Sequence, residues 1–174
     1  MLDYKSHAIV FTHRYRHVGI VTFIAMVLLI ACVGRLDAAW LVKRTVDGAK
    51  ERPICHLESD ARPVDDGYDA TRARLVVNAE TVRVVSEAPL DAEFADIGLR
   101  IDHRPFVNID DVVDRKHARF ETSYADLIEG FKKGRQVQAQ LRFWPTWPAT
   151  GTHSVAFSLR GFSKAYAMMQ RCEP

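Results

Sequence analysis

The sequence predicts an α+β fold: a mainly antiparallel, sandwich-like β domain with two short helices, behind a single transmembrane helix. Three observations predict it. Residues 136–143 alternate Val137, Ala139, Leu141 and Phe143 with Gln136, Gln138, Gln140 and Arg142, the period of a half-buried strand. Two β-branched runs, 72–78 and 81–87, flank Asn78-Ala79-Glu80 and read as a hairpin. Residues 18–34, VGIVTFIAMVLLIACVG, carry no charge. That run meets the lower limit of about 17 residues for a helix crossing hydrocarbon.

The apolar run sets the expected organisation: a cytoplasmic tail at 1–17, an anchor at 18–39, a linker and loop at 40–71, and a periplasmic β-rich domain at 72–174. The anchor extends to 39 if Arg35 snorkels, and Trp40 is then placed as an interfacial residue. Lys5, Arg14 and Arg16 precede the run, and Arg35, Lys43 and Arg44 follow it, so a Lys/Arg count does not settle orientation. The order of basic region, apolar region and small residues is that of a secretory signal and favours a cytoplasmic N-terminus. Two processed forms compete with a retained helix. Leu29-Ile30-Ala31-Cys32 matches a bacterial lipobox, in which Cys32 would be acylated. Cleavage near Ala38-Ala39 is the other, although Leu36 or Asp37 would occupy the position where a small residue is needed. In a retained helix, Gly19, Ala25, Ala31 and Gly34 are small enough for close approach of another transmembrane helix.

The residues beyond the apolar run suffice for one domain with its own core. The chain has 24 basic and 22 acidic residues, and this balance argues against nucleic acid as a partner. Cys55 and Cys172 bracket the soluble part. In an oxidising compartment they would pair and tie its two ends together; two unrelated thiols are the alternative. The spacing of the three cysteines matches no zinc pattern.

Residues 42–69 are rich in turn formers (Gly48, Pro53, Pro63, Gly67) and read as a loop around Cys55. Residues 97–102 alternate as a strand, 106–109 continue it past Arg104-Pro105, and 117–122 form another. Asp110, Asp111 and Asp114 read as the start of a helical turn with Val112 and Val113. Ser123 is an N-cap candidate with Asp126 at the capping-box position. Leu127, Ile128 and Phe131 form one helical face that Gly134 terminates. Residues 153–159 return as a strand after Thr150-Gly151-Thr152, and 164–170 form the last helix.

Two stretches carry a family resemblance: Asp126-Leu127-Ile128-Glu129-Gly130-Phe131-Lys132-Lys133-Gly134, and Phe157-Ser158-Leu159-Arg160-Gly161-Phe162-Ser163-Lys164-Ala165. With Leu99-Arg100-Ile101-Asp102, they resemble the C-terminal part of the invasion-associated locus B family of bacterial secreted and periplasmic proteins. The resemblance implies a secretion signal, a β-sandwich-like domain and no catalysis. The segment 143–148 and a retained anchor depart from that pattern.

No enzyme motif is present: no GxSxG, no P-loop and no dinucleotide-binding glycine pattern. No cofactor and no metal site is expected. His103, His117 and His153 are scattered, and Asp60, Asp65, Asp66 and Asp69 miss the calcium-loop spacing and read as a solvated turn. The one segment that stands out is Phe143-Trp144-Pro145-Thr146-Trp147-Pro148. Its rings and prolines read either as a plug for one end of the core or as a preordered contact for a partner through Phe143, Trp144 and Trp147. The functional expectation is a non-catalytic, membrane-anchored periplasmic protein of the bacterial inner membrane. It would act through other inner-membrane proteins as an accessory or assembly subunit, or as an envelope factor. The alternative is a periplasmic lipoprotein, acylated at Cys32, that binds a small ligand or a polysaccharide.

Overall fold

In a computed structural model of the chain, the described residues are 40–46, 53–147 and 151–172. The apolar run at 18–34, with Cys32 and the small residues Gly19, Ala25, Ala31 and Gly34, lies outside them. Among the described residues no helix is long and apolar enough to cross a membrane.

The larger sheet is antiparallel throughout. Its strands are β1 (Leu41–Val46), β2 (Pro53–Glu58), β3 (Arg62–Asp65), β4 (Ala70–Val77), β5 (Val82–Ser86), β8 (Asp111–Val113) and β9 (His117–Phe120). They run in the order β1-β2-β4-β5-β9-β8, with β3 paired to β4. The smaller sheet, also antiparallel, contains β6 (Gly98–Ile101), β7 (Val107–Asn108), β10 (Gln136–Leu141) and β11 (His153–Ser158), in the order β11-β10-β6-β7. Helices α1 (Tyr124–Lys133) and α2 (Phe162–Cys172) complete the domain. This is the predicted α+β, sandwich-like class.

Alternation explains the layers. Along β10, Val137, Ala139 and Leu141 are buried, while Gln136 and Gln138 face solvent. Along β5, Val82 and Val84 are buried, and Arg83 and Val85 lie half-buried on the opposite face. The inner faces of both sheets contribute to one core, with Leu75, Phe120, Leu99 and Phe157 almost fully excluded from water. The two helices supply Leu127, Phe131, Phe162 and Met169 to it. Phe162 is the hinge of this packing. Its ring meets Phe131 edge-on at 5.3 Å and Trp40 edge-on at 4.9 Å. Each such pair contributes about 0.5–1.5 kcal/mol beyond its buried area. Trp40, read as an interfacial residue, instead packs within the domain, where its Nε1–H donates to Ser158 O at 3.1 Å.

Cys55 and Cys172 are joined in a disulfide, with Cα atoms 6.1 Å apart. The bond ties β2 to the last turn of α2.

Several local expectations differ from the structure. The stretch read as linker and loop, 40–71, carries β1, β2 and β3. Proline and acidic residues mask the alternation there, but Cys55 and Leu57 are fully buried once β2 pairs with β1 and β4. Residues 106–109 do not prolong β6 but fold back as β7, with Leu99 opposite Val107. Gly98 permits this close return: a Cβ there would lie 2.3 Å from Val107 O. The helical turn expected at 110–114 is β8, because Asp111 faces Arg119 across the strand pair and holds its guanidinium at 2.8 and 2.7 Å. Ser123 makes no side-chain cap. The Asp110 carboxylate instead accepts the N–H groups of Glu121 and Thr122 just before the helix, and its pKa is lowered chiefly by the Glu121 bond.

Candidate interaction surface

The Trp144–Trp147 turn leaves the sandwich at the end where β10 stops, opposite Trp40. At the near end Gln136 pairs with Ser158, and at the far end Leu141 pairs with His153. Pairing then shifts to a new neighbour. Asp91 N–H donates to Arg142 O at 2.9 Å, Phe143 bridges Leu90, and Trp144 N–H donates to Pro89 O at 2.9 Å. Pro145 has no N–H to extend the ladder, so the chain turns away from the sheet. The Trp144–Pro145 peptide is cis.

Phe143 does not belong to the exposed surface with its neighbours. It is 3% exposed and packs in the core, with His153 edge-on at 5.6 Å. The side chains of odd-numbered residues along β10 point inward, and Phe143 keeps that parity. Trp144 and Trp147 do the reverse, at 52% and 79% exposed. The two indoles therefore do not plug the core, and Phe143 alone enters it.

What holds the turn that carries the exposed rings comes from three other segments. Tyr68, at the β3–β4 turn, lies with its Oη 2.9 Å from Trp147 O and 3.2 Å from Pro145 O, and donates its single proton to one of these carbonyls. Arg115 lies over the Trp144 ring at 4.4 Å, a cation–π contact. It is placed there by the β8–β9 turn, in which Asp114 and Arg115 both have positive φ, and Leu90 N–H donates to Arg115 O at 2.6 Å. Thr146 Oγ1 donates to the Asp91 carboxylate. Beneath the turn Arg142 is nearly buried, pairs with Asp96 and lies 4.2 Å over the exposed ring of Phe94. The Arg142 hydrogen bonds lower the pKa of Asp96 and raise that of Arg142.

Tyr68, Arg115 and Asp91 escape sequence reasoning, since no local pattern marks a residue that clamps a turn far along the chain. The acidic loop beside Tyr68 is a turn that satisfies its own backbone. Asp65 accepts Gly67 N–H at 2.7 Å, and Asp66 accepts the N–H groups of Tyr68 and Asp69. Among the described residues no group of three or more His, Cys, Asp or Glu could hold a metal ion. His103, His117 and His153 sit on separate elements: the β6–β7 turn, β9 and β11.

Compared with family models, curated proteins and solved structures, the chain matches none.

Proposed function

We propose that this chain is a non-catalytic protein of the bacterial inner membrane, held by its apolar N-terminal run, whose periplasmic domain docks another envelope protein through the Trp144–Trp147 turn. It works there as an accessory or assembly subunit, or as an envelope factor. The observation that carries the reading is the pair of exposed indoles on a turn held by Tyr68, Arg115 and Asp91. A surface already ordered loses little conformational entropy on binding, and tryptophan is enriched among residues that dominate interfaces. The Cys55–Cys172 pair supports an oxidising compartment. The invasion-associated locus B resemblance points to the same compartment, and the docking argument does not depend on it.

The test is co-purification of the full chain from native membranes in mild detergent, beside a Trp144→Ala/Trp147→Ala variant. The variant is expected to lose a partner that the parent retains while its thermal melt stays close to the parent's. An unchanged partner set would overturn the reading. Mass analysis of the mature N-terminus separates a retained helix from acylated Cys32.

A further inference from the structure

Segments far apart in sequence converge at the Trp40 end of the smaller sheet. Asp102 N–H donates to Gln136 O at 3.0 Å, Leu159 N–H to Arg135 O at 2.9 Å, and Ser163 Oγ to Lys132 O at 3.2 Å. The convergence brings Arg100 and Arg135 to one cleft, with Arg104, Lys132 and Lys164 on the adjoining segments, all exposed, and Lys132 lies over the Tyr166 ring. Within 99–104, 129–136 and 158–164 the only acidic residues are Asp102 and Glu129. Glu129 pairs with Lys133 along α1. Asp102 accepts the backbone N–H groups of Arg135 and Gln136 at 3.1 and 3.0 Å, so its carboxylate braces the main chain. A cleft of about 450 Å³ opens here, lined by Arg100, Asp102, His103, Arg135, Gln136 and Gln138. Among the described residues neither Arg100 nor Arg135 has an ion-pair partner. Arg100 lies 5.7 Å over the Phe106 ring, which supports the guanidinium without neutralising it.

We infer that this cleft binds a phosphate-class oxyanion, with Arg100 and Arg135 as its charged donors and His103, Gln136 and Gln138 around them. Like charges gathered on one surface repel unless an anion joins them, and the planar fork of a guanidinium matches the oxygens of phosphate. The ligand is compact rather than an extended peptide. β10 lies between β11 and β6, so the cleft offers no free strand edge for main-chain pairing. Its position is distinct from the Trp144–Trp147 turn, at the opposite end of β10, and the inference stands independently of the docking proposal.

The test is calorimetric titration of the full chain, in nonionic detergent at low salt, with inorganic phosphate. Saturable binding is expected, weakened about tenfold or more in Arg100→Gln/Arg135→Gln and unchanged in Arg83→Gln on the other sheet. Thermal melts of both variants verify that they are folded, and Arg100→Lys/Arg135→Lys, which keeps the charge but loses the fork, is expected to bind with intermediate affinity. Repeating the titration with phosphatidylglycerol in the micelles identifies the carrier. A weakened apparent phosphate affinity means that a lipid headgroup occupies the cleft, and an unchanged one means that a soluble phosphate is the ligand. Absence of saturable binding up to about 10 mM, or equal binding by the folded double Gln variant, overturns the inference.

Discussion

Removal of the Cys55–Cys172 bond by Cys55→Ala/Cys172→Ala is expected to act mainly on the unfolded chain. The bond closes a separation of 117 residues, which takes in nearly every described element. The chain-entropy treatment assigns such a closure about 5 kcal/mol. Domains of this kind have total stabilities of about 5–15 kcal/mol, so a third or more is at stake. The folded state has independent reasons to persist, because Phe162, Ala165, Tyr166 and Met169 keep α2 docked by burial alone. In urea the midpoint should fall by roughly 2.5 M at a slope of about 2 kcal/mol per M. The slope should also rise, because an unlinked unfolded chain exposes more surface. The assay is urea unfolding followed by tryptophan emission, with the reduced parent chain as a second sample. Cys55 is fully buried, so the Ala variant also loses packing, and the reduced sample separates that loss from the lost tie. A midpoint within about 0.3 M of the oxidised parent would refute the reasoning. A fall in midpoint at constant slope would place the effect in the folded state instead.

Three further outcomes follow from the geometry. Gly98→Ala places a methyl 2.3 Å from Val107 O and 2.5 Å from the Phe106 ring. It should cost about 2–3 kcal/mol in the same urea assay, since the nearest neighbour is backbone that must shift. Asp96→Asn should cost about 1–2 kcal/mol at pH 7 by weakening the bonds to the nearly buried Arg142. The folded pKa of Asp96 lies below its unfolded value, so its contribution is complete above that unfolded value of about 3.9 and is lost as pH falls through the folded one. Urea midpoints of parent and Asn variant should therefore converge in acid, and a constant gap from pH 7 to pH 2 would count against the pair. Tyr68→Phe removes the clamp on Trp147 O and should change stability by less than about 1 kcal/mol, because the hydroxyl is exposed. Acrylamide quenching of the indole emission should rise as the turn loosens, and unchanged quenching would show that Arg115 and Asp91 suffice.

The legible parts of this protein were those whose partners lie close in sequence. The β4–β5 hairpin closes over Asn78, whose side chain accepts the N–H groups of Glu80 and Thr81, a turn chemistry written in the local residues. β10, β11 and α1 each present a complete amphipathic period. The strands β1 to β3 were hidden because a turn-rich stretch has no period of its own; pairing with neighbouring strands makes it sheet. Ser123 and Asp126 carried a sound capping pattern, and a carboxylate from the β7–β8 connection, Asp110, took over the nearby N–H groups. Exposure of Trp144 and Trp147 was equally undecided in sequence, where plug and platform have the same residues.

Sequence alone determined which residues of β5, β10, β11 and α1 turn inward, because burial there follows from hydrophobic parity along a strand or helix. It also determined that Cys55 and Cys172 stand at the two ends of the domain, and that net charge lies near neutral. Only the tertiary structure decided where charge accumulates. Arg100 comes from β6 and Arg135 from the α1–β10 connection, and a near-neutral total conceals a cleft that holds both guanidinium groups. Side-chain parity is a property of neighbours along the chain. Proximity of like charges, and the clamping of Trp147 by Tyr68, depend on loops closed over long separations, which no local pattern encodes.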